Sequence, residues 1–322
     1  MASLLSLRGR RPWQSQGGDP SRSDAAQWLL PRHWPLAIGL GLLRLMALLP
    51  LRVAQGFGRG LGWLAWLFIP RRRAIVRRNL ALCFPDLDEA VRRRLERASF
   101  ASAGMGMVEG ALAWWGRSER LKARVRYEGL EHIEQARAEG RGVLIIGGHF
   151  SALEISGRLM AMRIPVDLVY KPARNKRFER VMSAMRLRYV HGLIPSANLK
   201  AMMRRLREGG ICWYAYDQDF GRANSVFAPF FGVPTATLAL TGRIVQATGA
   251  KVVFIYPERL PGGKGFVMHL LPVPELPSGD AVRDAAIYNG LIERFTRQRP
   301  EDYFWMHRRF KTRPEGERSP YL

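Results

Sequence analysis

The stretch GVLIIGGHFSALEISGR, residues 142–158, contains the pattern that decides the fold of this chain. Its apolar run, residues 143–147, predicts a buried β-strand, and the adjoining glycines allow the backbone to turn tightly after it. His149 stands at this turn, and Glu154 follows in a segment whose apolar residues have helical spacing. The stretch therefore predicts a strand, a turn that carries an imidazole, and a helix that carries a carboxylate.

The same alternation of short apolar runs and amphipathic segments continues from about residue 124 onward. The predicted strands are residues 143–147, 166–170, 211–216, 252–256 and 266–271. The predicted helices are residues 131–138, 151–162, 176–189, 199–208, 235–248 and 281–298. Helices between strands imply crossover connections, so we expect an α/β fold with a largely parallel sheet and flanking helices. Ligand sites in such sheets collect beyond the carboxyl ends of the strands, where His149 lies.

The composition is typical of a globular protein with a strong excess of basic residues. The chain has 322 residues, of which 47% are hydrophobic, and its 51 Lys and Arg exceed its 27 Asp and Glu to give a formal net charge of +24. Such a charge attracts polyanions, namely nucleic acid, acidic lipid headgroups or an acidic protein. No nucleic-acid recognition motif accompanies the charge, so we expect no nucleic-acid partner. The two cysteines have no zinc-site spacing, so we expect neither a disulfide framework nor a structural metal.

The first 70 residues divide into two parts. Residues 1–30 are rich in Arg, Ser, Gln and Gly and predict a flexible basic extension. Residues 31–70 contain two apolar runs, with tryptophans that suit a membrane interface, and predict membrane-associated helices. These helices could cross the bilayer or lie on it, and a buried helical hairpin is the alternative. The basic segment RRRAIVRR, residues 71–78, suits an anionic membrane face and begins the predicted main domain, residues 71–322.

The pair formed by His149 and Glu154 has two interpretations. In one, the Glu154 carboxylate accepts a hydrogen bond from one imidazole nitrogen and leaves the other free as a general base. Without a Ser or Cys nucleophile, such a pair suits direct activation of a substrate hydroxyl. In the other, His149 caps a helix and Glu154 is a surface carboxylate, because a bare H-x4-E spacing is common by chance.

A resemblance to known enzymes favours the catalytic interpretation. The segment HFSALE resembles the H-x4-D/E motif of the glycerolipid-type acyltransferases, and the chain is most similar to the late acyltransferases of lipid A biosynthesis, the lauroyl/myristoyl transferase family of Gram-negative bacteria. The similar segments follow one another in the family's order from about residue 31 to residue 316. They are PRHWPLAIGLGLL, RRNLALCFPDL, ASAGMGMVEGALAWW, GRGVLIIGGHFSALE, WYAYDQDFG, SVFAPFFGVPTAT and YFWMHRRFKTRPEG.

The resemblance implies a reaction as well as a fold. His149 would be the general base and Glu154 its orienting carboxylate. The reaction would move an acyl chain from acyl carrier protein to the hydroxyl of a 3-hydroxyacyl chain on a Kdo-bearing lipid A precursor. It would need no metal or other cofactor, and it would take place on the cytoplasmic side of the bacterial inner membrane. Another glycolipid or a lysophospholipid as acceptor, and a non-catalytic basic membrane-binding protein, are the alternatives.

Four residues with oxygen or cationic side chains are further candidates for substrate binding. The family's Y-R-P tripeptide, whose arginine contacts phosphate, is YKP here, so Lys171 keeps the charge without the bidentate guanidinium. Asn175 also matches the family. Asp217 and Asp219 follow an apolar strand beside the expected site, and the resemblance marks Asp217 as a residue of the active site that could position the base or an arginine. A solvated loop lysine is the alternative for Lys171.

Two segments near the end of the chain complete the candidate site. The basic run WMHRRFKTRPEG contributes Arg308 and Arg309, which could bind phosphorylated sugar or the acidic carrier protein. His307 has no obvious carboxylate partner, so we do not propose it as a second base. The aromatic segment SVFAPFFGVPTAT could line the acyl-chain groove or belong to the core, and the residues in question are Phe227, Phe230 and Phe231.

Overall fold

The structure is a computed structural model that describes residues 30–322. The predicted flexible extension, residues 1–30, lies outside these residues except for Leu30. The strands are β1 (Val125–Glu128), β2 (Val143–Gly147), β3 (Val166–Tyr170), β4 (Gly192–Pro195), β5 (Ile211–Ala215), β6 (Ser225–Phe230), β7 (Val233–Leu238), β8 (Lys251–Leu260) and β9 (Gly265–Pro272). The helices are α1 (Trp34–Met46), α2 (Leu51–Phe68), α3 (Pro70–Cys83), α4 (Glu89–Trp115), α5 (Ser118–Lys122), α6 (Glu131–Ala138), α7 (Leu153–Ala161), α8 (Lys176–Arg186), α9 (Leu199–Arg207), α10 (Thr241–Thr248) and α11 (Ala281–Gln298). Short 3-10 turns lie at Pro31–His33, Pro261–Gly263 and Pro300–Asp302.

The main sheet is largely parallel, as predicted. Its strand order is β1-β9-β8-β2-β5-β3-β4, and the five strands from β8 to β4 run in one direction. Strand β9 pairs antiparallel with β8, and β1 runs parallel to β9. All five residues of β2 are buried, and alternate ones belong to two separate hydrophobic clusters. Apolar packing on both faces explains why this strand is an unbroken apolar run.

The predicted helix over residues 235–248 is wrong in its first half. Residues Val233–Leu238 form β7, which pairs antiparallel with β6, and the helix begins only at Thr241. Thr235 and Thr237 are fully buried in this hairpin. Their β-branched side chains restrict χ1 in a helix and pack well on a pleated surface, which favours the strand. Strands β1 and β4 escaped prediction because four residues are too few to show a period.

The two apolar runs before residue 70 are helices α1 and α2, and α2 packs closely against α4. A Cβ atom on Gly62 would lie 2.1 Å from the carbonyl oxygen of Phe100, and one on Gly104 would lie 2.1 Å from that of Gly58. Glycine at these positions therefore lets the two backbones touch. Within residues 30–322, no helix combines the length and the apolar character needed to cross a membrane.

Candidate active site

His149 and Asp217 meet because their strands are parallel neighbours. His149 follows β2 by two residues and Asp217 follows β5 by two residues. Gly147 of β2 pairs in register with Ala215 of β5. Because parallel strands end at the same edge of a sheet, the two side chains lie together at the carboxyl edge where a ligand site is expected.

Asp217 holds His149 at two points. The Nδ1–H of the imidazole donates to Oδ1 of Asp217 at 2.5 Å, and the backbone N–H of His149 donates to Oδ2 at 2.9 Å. Asp217 is 2% exposed whereas the His149 side chain is 26% exposed. Burial acts to raise the pKa of Asp217, but the charge and hydrogen bonds of His149 outweigh it and lower this pKa to about 2.

The second imidazole nitrogen of His149 is open. Because Nδ1 donates to the Asp217 carboxylate, the neutral ring carries its proton on Nδ1 and a lone pair on Nε2. Within residues 30–322, Nε2 has no hydrogen-bond partner and is not among the buried polar atoms. The geometry supplies a base whose orientation and tautomer are both set.

The prediction that Glu154 orients His149 is wrong. The Glu154 carboxylate instead accepts a hydrogen bond from the Nε1–H of Trp114 at 2.7 Å. It also accepts two hydrogen bonds from Arg186, one from Nε–H at 3.0 Å and one from Nη2–H. The Tyr189 hydroxyl lies 3.4 Å away. Burial acts to raise the pKa of Glu154, but the hydrogen bonds and charge of Arg186 lower it overall. A bidentate guanidinium is the stronger partner for this carboxylate, and it comes from α8.

Two predicted residues follow β3, whose carboxyl end lies at the same edge of the sheet. Lys171 is exposed directly after the strand. The Asn175 side chain caps α8, because its oxygen accepts from the backbone N–H groups of Arg177 and Phe178 at 3.0 and 3.1 Å. Asn175 thus has a local structural role, while phosphate binding by Lys171 stays a prediction.

Asp219 connects the loop after β5 to the end of the chain. Its carboxylate accepts from the backbone N–H and the hydroxyl of Thr312 at 2.7 and 2.8 Å, and from the backbone N–H of Gly221 at 2.9 Å. These bonds engage both carboxylate oxygens. They explain Asp219 as a residue that shapes the loop and give no support to direct substrate contact.

The two adjacent arginines predicted to bind substrate differ in exposure. Arg309 is 2% exposed and donates to the carbonyl oxygen of Ala236 at 2.6 Å and to the hydroxyl of Thr237 at 3.1 Å. The structure therefore contradicts the prediction that Arg309 binds substrate, since its guanidinium is used inside the protein. Arg308 is exposed and lies over the ring of Tyr321, so its predicted role stays open.

Two of the three phenylalanines assigned to a groove or to the core are core residues. Phe230 and Phe231 are buried and pack edge to face against each other. Phe231 also contacts the rings of Phe84 and Trp305. Phe227 is half-buried beneath the guanidinium of Arg222.

Sequence reasoning missed the partners of Glu154 and did not pair Asp217 with a particular residue. The sequence placed Asp217 beside the expected site, as a residue that binds substrate or positions the base or an arginine, and the structure pairs it with His149. Arg186 is one of several arginines and lysines on α8, and nothing in the sequence distinguishes it. Trp114 belongs to a helix that precedes the sheet, so only the tertiary fold brings it to Glu154.

The fold and the site together define a class of protein. An open imidazole lies at the carboxyl edge of a largely parallel sheet, followed five residues later by a carboxylate in the next helix. This arrangement has the H-x4-E pattern of the glycerolipid-type acyltransferases.

Comparisons with known proteins identify the family within this class. A sequence model described as bacterial lipid A biosynthesis acyltransferase matches residues 23–312. The chain is 40% identical to the lipid A biosynthesis lauroyltransferase of Escherichia coli (strain K12), over 91% of this chain and 96% of that protein. It is 36% identical to the palmitoleoyltransferase of the same organism, over 94% and 99%, and 31% identical to the myristoyltransferase, over 90% and 91%. The chain belongs to the bacterial lipid A biosynthesis acyltransferases, and it is an acyltransferase enzyme.

Proposed function

We propose that this enzyme transfers a fatty acyl chain from acyl carrier protein to the hydroxyl of a 3-hydroxyacyl chain on a Kdo-bearing lipid A precursor. The observation that carries the proposal is the open Nε2 of His149, whose ring is held through Nδ1 by Asp217. Family membership supports lipid A as the acceptor class, and the names of the relatives support a fatty acyl group as the transferred unit.

The reaction follows from the two ends of the imidazole. Nε2 of His149 removes the proton of the acceptor hydroxyl as its oxygen attacks the thioester carbonyl carbon. The Asp217 carboxylate stabilises the imidazolium that forms, because it already accepts the Nδ1–H. The tetrahedral intermediate then expels the thiolate as the C–S bond breaks, and the thiolate takes the proton from Nε2. An acyloxyacyl ester and the free carrier thiol result, and the enzyme regains its starting state.

Glu154 enters this proposal as a positioning residue. It lies in the first turn of α7, five residues after the base, and its carboxylate forms a bidentate pair with Arg186 of α8. The side chains of the pair are 23% and 15% exposed. A partly buried pair of this kind joins α7 to α8 near the base, so we assign Glu154 to holding these two helices in place.

The proposed location is the cytoplasmic side of the inner membrane. Residues 31–70 would attach the acyltransferase domain, residues 71–322, to the membrane. Helices α1 and α2 expose apolar residues along one stretch of chain. They include Trp34, Ile38, Leu42, Leu45, Phe57, Trp63, Leu67 and Phe68. Such exposure exceeds the scattered apolar residues of an ordinary surface, and lipid contact would cover it. The exposed Arg71 and Arg72 follow α2 directly and suit anionic headgroups.

The charge of the whole chain fits the proposed substrates. A formal net charge of +24 attracts an acceptor that carries phosphates and carboxylates and a donor carrier that is acidic. Lys171 and Arg308 are exposed cations that can contribute to this attraction at close range.

Reconstitution tests the proposal. The purified protein is mixed with lauroyl, myristoyl or palmitoleoyl carrier protein and with the lipid A precursor with and without Kdo, and products are read by mass spectrometry. We expect one added acyl chain, lost in His149→Ala and retained in the control His132→Ala on α6, with equal vesicle binding by all three proteins. Acylation of a lysophospholipid in place of the precursor would assign a different acceptor. A folded, vesicle-bound protein that acylates neither acceptor would refute the transferase proposal.

A further inference from the structure

A second imidazole lies beside the pair of His149 and Asp217. The Nε2 of His307 accepts a hydrogen bond from the backbone N–H of Asp219 at 3.0 Å. Asp219 belongs to the loop that carries Asp217. On the other side, the backbone N–H of Phe304 donates to the carbonyl oxygen of His149 at 2.9 Å. The segment that carries His307 is therefore tied to both loops of the candidate active site.

The hydrogen bond from Asp219 sets the tautomer of His307. A ring nitrogen that accepts an N–H carries no proton, so the proton of the neutral imidazole is on Nδ1. Within residues 30–322, this Nδ1–H has no acceptor, and it is not among the buried polar atoms that lack a partner. It is therefore a hydrogen-bond donor that is not sealed from solvent and that belongs to a segment tied to both loops of the candidate active site.

The surroundings keep this imidazole neutral. Burial is the largest influence and lowers the pKa of His307 to about 4, although Asp217 and Asp219 act in the opposite direction. Arg309, from the same terminal segment, and His149, from the loop after β2, lower the pKa further. A neutral imidazole whose Nε2 is already occupied is a poor base, but it remains a good N–H donor. Neutral imidazole is known to polarise carbonyl groups in this way.

We propose that the Nδ1–H of His307 donates a hydrogen bond to the thioester carbonyl oxygen as that oxygen gains negative charge. This inference rests on the proposed acyl transfer, in which the carbonyl oxygen becomes an oxyanion in the tetrahedral intermediate. His307 keeps its proton throughout and forms no covalent bond. A donor fixed in place before the reaction needs no reorganisation as the charge develops.

Two substitutions separate this role from a purely structural one. In His307→Gln, the side-chain oxygen can stand where Nε2 stands and accept the N–H of Asp219, but the donor at the Nδ1 position is removed. In His307→Asn, the amide nitrogen can replace the Nδ1–H donor, but the acceptor for Asp219 is removed. A donor role predicts greater kcat for Asn than for Gln, and a structural role predicts the reverse order.

The experiment measures kcat and KM with lauroyl carrier protein and the lipid A precursor, together with thermal unfolding of each protein. We expect His307→Gln to lower kcat by about 100-fold with little change in KM, as for loss of one oxyanion donor, and His307→Asn to retain a larger share of kcat. Equal or greater activity of the Gln variant would overturn the inference.

A spectroscopic measurement on the wild-type protein completes the test. Nitrogen NMR of histidine-labelled protein should show His307 as a neutral ring protonated on Nδ1 at neutral pH, and an imidazolium or an Nε2–H ring would overturn the inference even if both variants failed to fold. Wild-type turnover in the same assay distinguishes the two proposals. Without turnover the acyl transfer itself is refuted, whereas turnover retained by the Gln variant refutes only the role of His307.

Discussion

The loop after β2 carries two polar side chains, two residues apart, with opposite environments. His149 keeps one ring nitrogen without a partner among the described residues. Ser151 instead contacts Ser102 at 2.6 Å and accepts from Nη2 of Arg259 at 3.0 Å. Both side chains are half-buried, but the imidazole keeps one nitrogen open while the hydroxyl is bonded into a cluster of buried polar groups.

That closed cluster joins five parts of the fold, including the loop that carries Ser151. Arg259 of β8 forms a bidentate pair with Glu109 of α4 at 2.7 and 2.8 Å and an ion pair with Asp302 at 2.5 Å. Gln55 of α2 donates to the same Glu109 at 2.8 Å, and the backbone N–H of Ser151 donates to the carbonyl oxygen of Asp302 at 2.7 Å. The contrast with His149 shows two roles for polar groups in one loop. The groups of the cluster bond to one another and stabilise the fold, whereas the imidazole keeps one nitrogen without a partner and available for reaction.

The largest effect should come from Asp217→Asn, which removes the charge that holds the tautomer of His149. An amide N–H can donate to Nδ1, in which case the neutral ring carries its proton on Nε2 and Nε2 is no longer a free base. We expect kcat to fall by about 100- to 10,000-fold, the range for general-base catalysis, while thermal unfolding changes little. The exposed Asp86→Asn is the matched control in the acylation assay. Near-normal kcat in Asp217→Asn would remove this pair from the mechanism.

The next effect concerns the closed cluster. Arg259→Met should lower the free energy of unfolding by about 3–5 kcal/mol, because Glu109 and Asp302 would be left as unpaired buried charges. Urea unfolding measures the change, and Arg126→Met on the exposed face of β1 is the control. A loss below about 1 kcal/mol would show that water reaches the cluster and that it is not closed.

The same contrast explains how far the sequence could be interpreted. The strand before His149 and the helices over residues 131–138 and 281–298 were predicted with the bounds that the structure has. Their apolar periodicity reflects burial, which is a property of each segment. The position of His149 at the end of β2 follows from the same local pattern.

The hydrogen-bond partners of His149 and Glu154 do not follow from local periodicity. Asp217 is 68 residues from His149, and Arg186 is 32 residues from Glu154. Which carboxylate reaches which cation depends on strand order, and strand order is set by packing over the whole sheet. Glu154 follows His149 closely in sequence and was therefore chosen as its partner. The prediction failed because the pairing of β2 with β5 places Asp217 closer to the imidazole.

A change of pH should have a smaller effect on the stability of the fold. The pKa of His307 falls to about 4 in the folded protein, below its ordinary value of 6.5, mainly through burial. Between these values the unfolded chain binds a proton that the folded chain does not. The stability that His307 contributes is therefore fully present above the ordinary pKa and is lost as pH falls toward 4. Thermal unfolding at pH 7 and pH 5 should show a loss that is smaller in His307→Asn. An equal loss in both proteins would assign the pH dependence to other groups.

The smallest effect tests the boundary between the two environments directly. Ser151→Ala removes one hydroxyl from the closed cluster, where Arg259 keeps its bonds to Glu109 and Asp302. We expect a loss of about 1 kcal/mol in the free energy of unfolding, the usual net value of one hydrogen bond. The change in kcat should be less than severalfold, because His149 is held independently by Asp217 and by the N–H of Phe304. A fall in kcat as large as that of Asp217→Asn would show that the cluster also orients His149, so that the two environments could not be treated as independent.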